Sequence, residues 1–191
     1  DDDPVKIADL FFLGIFDEFH RYKGFDVLLE AIALLVQEGK NIVVVAGGKG
    51  PLIETYKKRI TELAIEKNVI FPGYITDEDL PSYYSGTSAF VLPSNDPSRE
   101  GFGLVLLEAM ACGRPVITTE IAGMAGEIEA YGAGIVIKQN NPSELAEAIR
   151  HIIDDENTAR LMGLAGRRLV VEHYDWKMIA RSVEKLYAEL L

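Results

Sequence analysis

Glu100-Gly101-Phe102-Gly103-Leu104-Val105-Leu106-Leu107-Glu108 is the stretch from which the fold of this chain is read. Before it runs the uncharged string Ala89-Phe90-Val91-Leu92-Pro93, then the polar link Ser94-Asn95-Asp96-Pro97-Ser98-Arg99. An apolar run closed by turn residues reads as a buried strand, and Gly103–Ala111 reads as a helix. Gly101 and Gly103 let the backbone pass close to a ligand and free the first helical amides. Those amides, with the positive end of the helix dipole, favour a phosphate. Glu108 falls in the second turn, about 7 Å along the axis from Gly103. From there it would accept hydrogen bonds from vicinal hydroxyls, while Glu100 sits in the loop. A carboxylate among Leu106, Leu107, Ala109 and Met110 is also expected to need a partner.

The same alternation extends in both directions. Strands are expected at Ile7–Phe16, Asn41–Ala46, Val69–Tyr74, Ala89–Pro93, Pro115–Thr119 and Gly134–Lys138. Helices are expected at Phe25–Gln37, Leu52–Glu66, Asp77–Tyr84, Gly103–Ala111, Ser143–Ile153, Thr158–Glu172 and Trp176–Leu191. Most of the strands are continuously apolar, as parallel strands covered on both faces are. The pattern predicts one α/β domain over residues 1–191, a doubly wound Rossmann-like parallel sheet of about six strands. Helices would cover both faces, with further helices at the C-terminus. The longest irregular links, Ser94–Gly101 and Glu120–Gly126, both follow strands, where open α/β sheets bind ligands.

Composition narrows the function. The formal net charge of −11 argues against a nucleic-acid binder but leaves room for one small anion held locally. No window reaches the roughly 18 consecutive apolar residues of a membrane span. The acidic start Asp1-Asp2-Asp3-Pro4 reads as a frayed terminus rather than a targeting peptide or a metal cluster. With Cys112 as the single cysteine there is no internal disulfide, and a cytoplasmic location is expected. Cys112 itself reads as a small packed side chain, and His151 and His173 as surface or packing residues. Gly47-Gly48-Lys49-Gly50 lacks the spacing of a phosphate-binding P-loop. Gly123-Met124-Ala125-Gly126-Glu127 reads equally as a turn or as a second ligand contact.

The string Leu92-Pro93-Ser94, then Glu100 through Ile117, closely resembles the family-4 glycosyltransferases. So do Lys23-Gly24-Phe25-Asp26-Val27-Leu28-Leu29-Glu30-Ala31, Ala46-Gly47-Gly48-Lys49-Gly50-Pro51 and Val69-Ile70-Phe71-Pro72-Gly73-Tyr74. In those retaining enzymes of GT-B fold, two glutamates at this spacing mark the C-terminal, donor-binding domain. The resemblance implies that Glu100 contacts the donor sugar and Glu108 the ribose. It implies main-chain contacts from Phe102, Gly103 and Leu104, and a base flanked by Phe71 and Gly73. Gly14 would close the first strand at the site, and Lys23 would neutralise the departing diphosphate. A lysine at a helix start opposes the dipole unless an anion lies between them. The family's arginine after that glycine is replaced by Ile15, which leaves Arg21 or His20, in a long strand-to-helix insertion, to restore the charge. Arg21 suits phosphate better because its guanidinium is planar and forked.

The resemblance further implies transfer of a sugar from a nucleoside diphosphate donor to an acceptor hydroxyl, with no metal or other cofactor. The chain is expected to lack the N-terminal acceptor domain, to bind donor and not to transfer. Any membrane contact is expected through that other domain. A glycogen- or starch-synthase-type glucosyltransferase domain is an alternative, although a Lys-Thr-Gly-Gly signature is missing. A non-catalytic nucleotide-sugar-binding module is another, favoured by Ile15.

Overall fold

A computed structural model describes residues 5–190; the acidic start Asp1-Asp2-Asp3-Pro4 and Leu191 lie outside the described residues. Six parallel strands, β1 (Ala8–Leu13), β2 (Val44–Gly47), β3 (Val69–Gly73), β4 (Thr87–Leu92), β5 (Val116–Thr119) and β6 (Gly134–Ile137), form one sheet in the order β3-β2-β1-β4-β5-β6. The helices are α1 (Phe25–Gln37), α2 (Ile53–Glu62), α3 (Leu80–Ser85), α4 (Leu104–Ala111), α5 (Ala125–Tyr131), α6 (Pro142–Asp154), α7 (Glu156–His173) and α8 (Trp176–Leu190). This is the doubly wound arrangement that the alternating sequence predicts.

Alternation along each strand sorts the core into two layers. Leu10 and Phe12 of β1, Val44 and Ala46 of β2, and Ala89 and Val91 of β4 face the layer under α1, α2 and α6. Phe11, Val45, Phe90 and Leu92 face the other layer, against Tyr84 of α3, Leu106 of α4, Ile128 of α5 and Leu169 of α7. With both faces covered, the inner strands must be apolar in both registers, which is why their runs are continuous; the edge strand β3 leaves Ile70 and Pro72 exposed.

Several boundaries differ from expectation for local reasons. β1 stops at Leu13, and Phe16 turns inward to pack on Phe12 and Phe25. α2 ends at Glu62, before Ala64 adopts a left-handed conformation with φ 56°. α6 begins at Pro142 because the Asn141 side chain accepts from the Glu144 amide at 3.1 Å, and Asp155 caps α7 from Thr158 at 3.0 Å. The link Glu120–Gly126 is not irregular throughout. Its end belongs to α5, a seven-residue helix that buries only Ala125 and Ile128 and so lacks a periodic stripe.

The chain reverses its winding between β1 and β4, the innermost pair of the sheet. Loops leaving the carboxyl ends of two strands that wind apart open a crevice there. The β1–α1 and β4–α4 loops are those loops, and the second contains the glutamate stretch.

Candidate active site

The two loops are bound to each other. Gly24 caps α1 in the left-handed region with φ 76°, and a Cβ there would stand 1.8 Å from the Pro93 carbonyl oxygen. Only glycine lets the start of α1 lie this close to the end of β4. Two residues earlier, the Tyr22 carbonyl accepts from the Asn95 amide at 2.8 Å. The Arg99 guanidinium donates to the Phe19 carbonyl at 3.1 Å and lies over the Phe19 ring, 5.1 Å from its centroid. The start of α1 is therefore seated directly beside the glutamate loop.

Lys23 occupies this seam, in a single 3-10 turn at Arg21–Lys23. Its stem runs over Gly14, where an added Cβ would meet Lys23 Cδ at 3.4 Å and Phe12 Cε1 at 3.2 Å. The tighter of the two contacts is with the Phe12 ring, and the lysine stem lies at ordinary van der Waals distance. Burial holds the Lys23 ammonium below its ordinary pKa, while Glu100 and then Glu108 pull it back up. One desolvated cation facing both glutamates is the electrostatic centre of the site.

Each glutamate is held by its own donors. Glu100 accepts from the Ser94 hydroxyl through Oε2 and from the Gly101 amide through Oε1 at 3.1 Å. Ser94 is fully buried, and its carbonyl accepts from Thr119 of β5 at 2.8 Å. Glu108 Oε2 accepts from the Tyr84 hydroxyl at 2.7 Å. Glu108 is nevertheless exposed, which corrects the inference drawn from its apolar neighbours: Leu106, Ala109 and Met110 point to the core and the carboxylate does not. Tyr84 is the buried member, and burial first, then Glu108, pushes its pKa far upward, so it stays a donor. That hydrogen bond engages Oε2, one of the two carboxylate oxygens of Glu108.

The helix ends complete the anion site. Gly103 takes φ 81° as the residue before α4, and neither it nor Gly24 supplies a side-chain cap. The first amides of α4 and α1 therefore have no side-chain cap. Phe102 and Leu104 are exposed on the rim.

Not every expected residue converges here. Arg21 is turned to Glu18 and Asp26, each at 3.4 Å, in a groove of about 580 Å³ shared with Tyr56 and Arg59 of α2. His20 is held by Asp17 at 2.7 Å. Neither guanidinium nor imidazole joins Lys23, and Ile15 stands 52% exposed at the end of β1. The Phe71 ring packs into the core with Phe16 and Phe25, centroids 5.5 and 5.9 Å away, so only its main chain is open to a ligand. Gly73 has φ 87° and open space around it. Beside it the exposed Tyr74 ring carries Lys49 Nζ at 5.1 Å from its centroid. Tyr84 and Tyr22 lie outside every string that carries the resemblance, whereas Ser94 and Tyr74 lie within two of them but carry no assigned role. Tyr22 is raised in pKa by burial and then by Glu100.

The model of the glycosyl transferases group 1 family matches residues 4–169. The chain belongs to that family. It is 28% identical over 165 residues to a GDP-mannose-dependent alpha-(1-6)-phosphatidylinositol monomannoside mannosyltransferase of Mycobacterium tuberculosis, covering 84% of this chain and 43% of that protein. Sucrose-phosphate synthase from Thermosynechococcus elongatus superposes with a TM-score of 0.82 at 30% identity, over 96% of this chain and 46% of that one. A solved C-terminal domain of a Francisella tularensis group 1 protein matches at TM-score 0.76 and 24% identity, over 91% of this chain and 89% of that one. This group 1 chain thus has the Rossmann-like fold of a GT-B domain and spans less than half the length of the mannosyltransferase and of the sucrose-phosphate synthase. Among the described residues, no helix is long and apolar enough to cross a membrane, and no three His, Cys, Asp or Glu side chains converge as a metal set.

Proposed function

We propose that this chain is the donor-binding part of a retaining glycosyltransferase, and that the Lys23–Glu100–Glu108 constellation holds a nucleoside diphosphate sugar. The observation that carries the reading is a half-buried lysine over Gly14 at the end of β1, its charge offset by the two carboxylates of the β4–α4 segment, at the β1/β4 switch point. A diphosphate answers the lysine and the amides together. Glu108, steadied through Oε2 by Tyr84, keeps Oε1 for ribose hydroxyls. Glu100, steadied by Ser94, orients the sugar ring. The base lies along the main chain at Phe71 and Gly73, with Tyr74 as an available stacking face. The names of relatives such as the GDP-mannose-dependent mannosyltransferase support a sugar nucleotide as donor.

In transfer, negative charge grows on the leaving diphosphate while positive charge grows on the sugar. Lys23 and the amides of Gly103 and Leu104 stabilise the first charge from fixed positions, with no reorganisation at the moment of reaction. The reading uses no metal. The acceptor, and the domain that carries it, belong to the remainder of a longer enzyme, so the isolated chain binds donor and does not transfer. The outward apolar residues of α8, among them Val183, Leu186 and Tyr187, support a partner domain there.

The test is calorimetric titration with UDP-, GDP- and ADP-sugars, repeated on Glu108→Gln. Binding of one of them, weakened tenfold or more by the substitution, is expected (about 1.4 kcal/mol per tenfold). Absent or unchanged binding sinks the donor-site reading. The exposed Ile15 favours a second reading, a non-catalytic nucleotide-sugar module. Transfer by the full-length protein would dismiss it.

A further inference from the structure

Tyr174 stands between α7 and α8 and touches the glutamate loop. Its ring packs on Phe102 with centroids 5.6 Å apart and planes at 56°. Its hydroxyl donates to Glu127 in the first turn of α5. From the same side, the Gly123 amide donates to the Gly101 carbonyl at 2.9 Å, and a Cβ on Gly123 would stand 3.1 Å from Phe102 Cα. Phe102 is thus seated between the β5–α5 loop and Tyr174. On the other side of Tyr174, Asp175 opens α8 by accepting from the Lys177 amide at 2.8 Å. Tyr174 is half-buried, whereas every residue from 181 to 189 along α8 is exposed. Along this stretch α8 is tied to the body of the domain near its start, at the contact that also holds the donor loop.

We propose that Tyr174 is a positioning residue that fixes Phe102 for donor binding and transmits occupancy of the glutamate loop to α8. The proposal rests on the donor-site reading above. A diphosphate drawing on the Gly103 and Leu104 amides must settle the preceding residue, Phe102, and that ring bears directly on Tyr174. Two residues further on lies Trp176, the single tryptophan, 80% exposed at the start of α8. Its emission therefore reports on α8 without any label.

The experiment titrates the 191-residue chain with UDP-glucose and with GDP-mannose, following heat by calorimetry and Trp176 emission in parallel. Emission is expected to change with the same midpoint as the heat. Tyr174→Ala is expected to raise Kd about fivefold, from the loss of an aromatic pair, and to leave Trp176 emission flat at saturation. Tyr174→Phe keeps the ring contact, loses the bond to Glu127, and is expected to retain the emission change. Should Tyr174→Ala unfold, Tyr174→Leu carries the same expectations with more of the volume kept. Heat without an emission change in the unsubstituted chain overturns the coupling and leaves the donor site standing. So does an emission change that survives Tyr174→Ala. Absence of heat with these two and with an ADP-sugar overturns the donor-site reading and the coupling with it.

Discussion

Replacing Lys23 by methionine sets stability and affinity moving in opposite directions. Burial holds the ammonium below its ordinary pKa of 10.5, against the pull of Glu100 and Glu108. Between the folded and unfolded pKa values the unfolded chain binds more protons, so stability rises with pH across that interval. Below the interval the cost of burying the charge is present in full; it is relieved as the pH climbs toward 10.5. Methionine keeps an unbranched stem over Gly14 and Phe12 and brings no charge. Neither glutamate is orphaned, since Glu100 retains Ser94 and Glu108 retains Tyr84. Lys23→Met is therefore expected to match the original in stability near neutral pH or to exceed it by up to about 1 kcal/mol. That is a rise of at most roughly 4 °C in Tm for a chain of this size. The advantage should shrink as the pH approaches 10.5.

Affinity falls instead. A unit charge 4 Å from the ammonium is worth about 4 kcal/mol at an effective dielectric near 20. The lysine is already desolvated before ligand arrives, so little of this is spent on stripping its water. Some is lost because the two carboxylates surrender their hold on it. A net loss of about 2–3 kcal/mol, roughly 30- to 150-fold in Kd, remains. Calorimetric titration near neutral pH reads the affinity, and thermal melts from neutral pH to pH 10 read the stability. A variant that binds sugar nucleotide within roughly threefold of the original moves the phosphates away from Lys23. A variant destabilised by more than about 2 kcal/mol makes the lysine a structural ion-pair member instead.

Three further substitutions probe the supports. Tyr84→Phe removes one hydrogen bond to an exposed carboxylate, so a stability loss near 1 kcal/mol and a three- to tenfold (order-of-magnitude) weaker donor affinity are expected; calorimetry showing no change would release Glu108 from ribose binding. Gly24→Ala forces a Cβ to within 1.8 Å of the Pro93 carbonyl at φ 76°, so the β1–α1 and β4–α4 loops must part. About 3 kcal/mol, a drop of roughly 6–12 °C by scanning calorimetry, is expected, with reduced donor affinity in the surviving fold. Tyr74→Ala is expected to weaken sugar-nucleotide binding about five- to thirtyfold while leaving inorganic pyrophosphate binding unchanged, since stacking acts on the base alone. Equal effects on both ligands would place the base elsewhere.

How much of this was legible in the sequence follows from the range of each interaction. The strands declared themselves because a sheet covered on both faces forces uninterrupted apolar runs such as Ala89–Leu92. Helices with a broad buried stripe, α1 above all, did the same. α5 did not, because seven residues with two buried leave no period to detect. The glutamates were visible through one contiguous motif. Their supports were not: Tyr84 and Glu108 lie 24 positions apart on different helices, and no spacing rule joins them. Phe71 and Arg21 show the converse. Their residue types suit a ligand, yet the ring is packed among core aromatics and the guanidinium is already occupied by two carboxylates.

On the donor-site proposal, a chain with a net charge of −11 would hold its anion by exchange of partners rather than by surplus positive charge. In the unliganded fold, Glu100 and Glu108 offset Lys23, which keeps a desolvated ammonium from standing alone. A sugar nucleotide brings both kinds of partner in one molecule: phosphate oxygens for the lysine and hydroxyls for the carboxylates. Each side of the internal arrangement is released to a ligand group of matching chemistry, so no buried charge is left uncompensated in either state. Inorganic phosphate offers only the first half and would set itself against two carboxylates that gain no hydroxyl partner from it. Discrimination between a sugar nucleotide and the far more abundant simple anions is then a property of the glutamate pair, and the lysine supplies the attraction that the pair makes selective.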